Sequence, residues 1–75
     1  MKYLVIELQT YDNGSVANIV TDYNERPQAE SKFHTVLAAA AVSGLPCHAA
    51  VLITNEGYII DQTCYSQEEE EELMP

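Results

Sequence analysis

Short runs with the character of strands fall in two pairs along the chain, and between the pairs the spacing of hydrophobic residues changes to that of a helix. From Lys2 to Thr10, Leu4, Ile6 and Leu8 fall on one side and Tyr3, Val5, Glu7 and Gln9 on the other. This is the period-two pattern of a strand, with Leu4, Ile6 and Leu8 predicted to face the core. Tyr11-Asp12-Asn13-Gly14-Ser15 ends the run, and Asn13-Gly14 is the strongest short-range hairpin signal because both residues tolerate positive φ. Val16 to Tyr23 is then the return strand. A two-residue turn at Asn13-Gly14 sets Leu8 against Ile19 and Leu4 against Tyr23, so Ala17, Ile19 and Tyr23 join the predicted core face. Tyr3, Val5 and Val20 fall on the other side.

Asn24-Glu25-Arg26-Pro27 breaks the second strand, and Pro27 suits a first helical turn, where its missing N–H is not needed. Ala29, Phe33, Val36, Leu37, Ala40 and Gly44 then recur on one stripe at helical spacing. Gly44 is expected to supply a left-handed stop and Pro46 to prevent continuation, so the predicted helix runs from about Pro27 to Ser43. Cys47 to Thr54 is apolar on both sides apart from His48, which suits a strand inside a sheet or one covered by another chain. Asn55-Glu56-Gly57 is a second turn and Tyr58 to Tyr65 the last strand. The order β-β-α-β-β predicts an α+β fold, a four-stranded and mainly antiparallel sheet with one helix packed on one face.

Residues 1–65 therefore make a single α+β domain, and residues 66–75 an acidic C-terminal tail expected to be disordered and solvated. Ser66 with Glu69 also matches a capping box, although like charges four apart oppose a helix there. A chain of 75 residues buries only about 60% of the surface its unfolded form exposes, so size alone favours association. The formal net charge is −9, yet the run Glu68 to Glu72 holds five of the twelve acids. With three Lys and Arg residues in all, the chain lacks the cations for a nucleic-acid surface or for docking on anionic membranes. Glu7 and Gln9 interrupt the opening apolar run too soon for a signal peptide, and no segment has transmembrane length; the expected location is the cytoplasm.

The candidate chemistry is sparse. Cys47, His48 and Cys64 include a thiol beside a base and make three soft ligands, but neighbours on a strand point to opposite faces, so Cys47 and His48 do not converge. A three-residue loop places Cys64 opposite His48 and a two-residue loop places it opposite Ala49. Neither sets it directly across from Cys47, so no hairpin disulfide is expected, and both cysteines read as small packed thiols. His34 and His48 read as packing or hydrogen-bonding residues. Gly14, Gly44 and Gly57 are accounted for by turns and a helix stop rather than by a phosphate loop. No catalytic residue, cofactor or metal site is predicted.

The opening MKYLVIELQT, the block QAESKFHTVLAAAAVSGLPCHAAVLITNEG and the acidic tail together resemble small uncharacterised proteins of gut-associated Firmicutes and their phages or prophages. The resemblance extends to about Tyr65, implies a phage-derived accessory or structural protein, and carries no site residue with it. The leading expectation is a non-catalytic protein–protein interaction module of phage or mobile-element origin, a homodimer with room for a further protein partner. Its expected interface is Ala38, Ala39, Ala41 and Val42 on the helix with Tyr3, Val5 and Val20 on the sheet. The alternatives are an acidic inhibitor that mimics nucleic-acid charge through its tail, and a small enzyme whose site forms between subunits.

Overall fold

A computed structural model describes residues 1–66. Its elements are β1 (Tyr3–Thr10), β2 (Val16–Tyr23), α1 (Arg26–Ala41), β3 (Cys47–Thr54) and β4 (Ile59–Ser66). The strands form one antiparallel sheet in the order β2-β1-β3-β4, with α1 on one face, which is the expected α+β fold. Ser66, which the sequence pattern assigns to the tail, ends β4; the rest of the tail, with its acid run and capping box, lies outside the described residues.

Both hairpins close with the same device. Tyr11 N–H donates to Ser15 O (2.9 Å), Gly14 N–H donates to Tyr11 O (2.9 Å), and Gly14 has φ +90°. Across the other turn Thr54 N–H donates to Tyr58 O (2.9 Å), Gly57 N–H donates to Thr54 O (3.0 Å), and Gly57 has φ +97°. Each is a three-residue loop ending on a left-handed glycine, the geometry in which a tight turn is followed by one such residue. In the first hairpin Asn13 Oδ1 accepts from both Ser15 N–H (2.9 Å) and Ser15 Oγ (2.7 Å), which fixes the loop from within.

The three-residue loop corrects the predicted register. Tyr3 pairs with Tyr23 and Leu8 with Asn18, one position away from the pairing a two-residue turn would give. A slip of one residue exchanges the faces of a strand. The observed core is Val5, Ala29, Phe33, Val36, Ala50 and Leu52, with Tyr3, Tyr23, Leu37 and Ile60 packed against it. The predicted helix stripe is therefore correct at Ala29, Phe33, Val36 and Ala40, but α1 ends at Ala41 rather than Ser43 and Gly44 is neither left-handed nor part of it, while the predicted core face of β1 is inverted. Tyr3 and Val5 lie beneath α1, and Val5 is 1% exposed, so neither stands on the uncovered side where the sequence pattern placed them.

Two features of β3 bear on this choice of face. Ala50 takes little room, so the Phe33 ring and the helix backbone can approach the sheet above it. Leu52 and Ala50 alternate with Val51 and Ile53, so β3 offers apolar groups on both sides and leaves the choice to shape. Leu52→Ala is expected to cost about 2–5 kcal/mol in urea unfolding monitored by circular dichroism. A loss below about 1 kcal/mol would show that the face beneath α1 is not the core.

Candidate functional site, the open face of the sheet

The side of the sheet away from α1 carries Leu4, Ile6 and Leu8 from β1, Val16 and Val20 from β2, and Ala49, Val51 and Ile53 from β3. This side is thus as rich in large apolar residues as the covered one. The central ones are shielded partly by one another, but Val16 and Val20 at the β2 edge are 56% and 50% exposed. Among the described residues, Asp22 is the one charged strand residue on this side, and Lys2 Nζ pairs with it at 3.0 Å. A chain of net charge −9 thus presents a face with almost no charge of its own.

A β-bulge completes this face. The three-residue loop alone would set Cys64 opposite His48, on the helix side. The pairing shifts by one between Leu52 and Ile53: Ile53 pairs with Ile59 but Leu52 with Asp61, and Ile60 is the extra residue. Ile60 packs against the core, and every later residue of β4 changes side. Cys64 consequently faces Ala49 on the open face, diagonal to Cys47, and the two sulfur atoms lie 3.0 Å apart. A shallow hollow of about 410 Å³ runs beside them, lined by Leu8, Ala49, Val51, Gln62 and Cys64 among others.

The covered face holds a polar chain that the sequence pattern does not announce. Tyr11 Oη donates to Gln9 Oε1 (2.6 Å), Gln9 Nε2 donates to Glu7 Oε2 (2.9 Å), and His48 Nε2 lies 2.7 Å from the same carboxylate oxygen. Glu7 and His48 come from strands far apart in sequence, so only the β1–β3 register, with Glu7 against Ala50 and Gln9 against His48, reveals the pair. Burial pushes the Glu7 carboxyl upward, but the hydrogen bonds from His48 and Gln9 and the nearby charges of His48 and Lys32 outweigh it and hold the group below its ordinary value. An ionised carboxylate only accepts, so His48 Nε2 carries the hydrogen; Nδ1 is buried without a partner. That nitrogen is sealed from solvent, and the pair ties β1 to β3.

Cys47 and His48 fall on opposite faces, as strand geometry requires, so the trio Cys47, His48 and Cys64 does not converge. His34 is exposed, its ring set edge-on against Phe33 at 5.6 Å. Ala38, Ala39 and Ala41 are exposed on α1, and Val42, just past its end, is 85% exposed. Val20 stands on the open face, whereas Tyr3 and Val5 do not. No described helix is long and apolar enough to cross a membrane. Comparison with protein-family models, curated proteins and solved structures finds no match to this chain.

The lowered Glu7 group fixes a direction for acid unfolding. Its stabilisation is complete above the ordinary value of 4.5 and is lost as pH falls through the depressed folded value. Glu7→Gln is therefore expected to reduce stability at neutral pH and to flatten the loss between neutral and acid pH, read from urea midpoints across that range. His48→Ala is expected to cost about 2–4 kcal/mol at pH 7, because it leaves the carboxylate without its main partner. An unchanged midpoint in both variants would rule out a tying role for the pair.

Proposed function

We propose that the protein is a non-catalytic interaction module that associates with a second copy of itself through the open face of the sheet. The observation that carries this reading is the uncovered, nearly uncharged face built from Leu4, Ile6, Leu8, Val20, Val51 and Ile53 in an otherwise acidic chain. Contiguous apolar surface of this kind marks a protein interface. Strands of 8 residues are about 27 Å long and four of them span about 19 Å, which gives a flat footprint of roughly 500 Å². Two copies face to face then bury about 1,000 Å², the lower bound for a specific interface, before side-chain relief is counted.

A second copy suits this face better than a charged partner does. A protein with net charge −9 meets repulsion when copies approach at random, and among the described residues the open face carries little of that charge. Aligned packing of two sheets interleaves their inner side chains, and Leu, Ile and Val from β1 and β3 suit that role. The outer side of α1 offers Ala38, Ala39 and Ala41, whose short side chains supply far less apolar area.

Val20→Glu and Val51→Glu are expected to weaken self-association at least about tenfold in sedimentation velocity, because each buries an unpaired carboxylate in the seam. Ala39→Glu is expected to leave association unchanged. Circular dichroism verifies that each variant keeps its fold. Loss of association in Ala39→Glu alone would move the seam to the helix, and a wild-type protein that stays monomeric at high micromolar concentration would overturn the reading.

A further inference from the structure

We propose that Cys47 and Cys64 are a redox modification site, a pair of thiols that closes to an intramolecular disulfide without rearrangement of the sheet. Their sulfur atoms stand 3.0 Å apart, nearer than thiols in ordinary packing contact, although neither residue pairs directly with the other. The strands explain this. Cys47 pairs with Ser66 and Cys64 with Ala49, so the cysteines occupy a diagonal of the β3–β4 ladder. Right-handed twist draws one diagonal of an antiparallel pair together, and both side chains stand on the same face. The Ile60 bulge is what brings Cys64 to that face. Forming a bond from this position requires the sulfurs to close by about 1 Å, within the reach of side-chain rotation.

The two thiols differ in access. Cys64 is exposed on the edge strand and Cys47 is half-buried one strand inward. That asymmetry fits an exchange with a small-molecule disulfide such as oxidised glutathione. Cys64 loses its proton, and its sulfur attacks one sulfur of the oxidant, breaking that S–S bond and releasing one molecule of thiol. Cys47, deprotonated in turn, attacks the Cys64 sulfur of the mixed disulfide and expels the second thiol. One protein S–S bond forms and one oxidant S–S bond breaks. Two electrons pass to the oxidant, and the two cysteine protons end on the two released thiols. Both sulfurs belong to one chain, so the bond forms within a monomer, and Cys64, which the proposed seam would cover, reacts in the dissociated protein.

The bond would clip the end of β4 to β3 across a separation of 17 residues. Restricting the unfolded chain in this way raises the melting temperature by on the order of 10 °C. The test incubates the full-length protein with oxidised glutathione at low micromolar concentration, blocks remaining thiols with iodoacetamide and measures intact mass in denaturant. The expected wild-type product is a monomer lighter by two hydrogens, unreactive to iodoacetamide, with a raised melting temperature that dithiothreitol reverses. Cys47→Ser is expected to stop at one glutathione adduct on Cys64. Wild-type protein carrying two glutathiones, retaining two alkylatable thiols or forming covalent dimers would overturn the proposal, and these readings need no variant to fold.

Discussion

Sixteen helical residues cover one side of a sheet that has two, and the choice of side sets what the rest of the molecule can do. An apolar strand face stabilises the fold only where something excludes water from it. In this chain β3 carries apolar residues on both faces, and β1 sets Tyr3 and Val5 beside Glu7 and Gln9 on the covered side against Leu4, Ile6 and Leu8 on the other, so hydrophobicity alone does not direct the helix. The helix lies over Val5, Ala50 and Leu52, where a small residue makes room for Phe33, and Leu4, Ile6, Leu8, Val51 and Ile53 remain for another surface. The polar residues follow the same division. Glu7 and His48 satisfy one another at the margin of the covered side, while the open side keeps almost no charge.

The two glycine-closed loops and the bulge act as one mechanism for assigning side chains to faces. A left-handed glycine lets a three-residue loop close each hairpin, and the loop fixes the starting register. In the first hairpin that register holds through all eight residue pairs. In the second it is reset at Ile60, which both fills a gap beneath α1 and turns the outer half of β4 over. A single extra residue thus contributes to the core and to the open face at once, and it places the exposed thiol of Cys64 beside that of Cys47.

The elements were legible in the sequence: β1 by its alternation, β3 by a continuous apolar run, the helix by the stripe Ala29, Phe33, Val36 and Ala40, and the two turns by their glycines. Those signals are local, since each depends on dihedral preference or on the period of one segment. The alternation along β1 pointed to Leu4, Ile6 and Leu8 as its buried face, and the structure buries Val5 and packs Tyr3 beneath the helix instead, because both sides carry apolar residues and a one-residue change of loop length exchanges them. The strand order, the Glu7–His48 pair and the meeting of Cys47 with Cys64 were decided only by the tertiary structure. Each joins residues whose proximity depends on a register, and a register is the sum of loop geometry, bulges and packing volume rather than a property of any one segment.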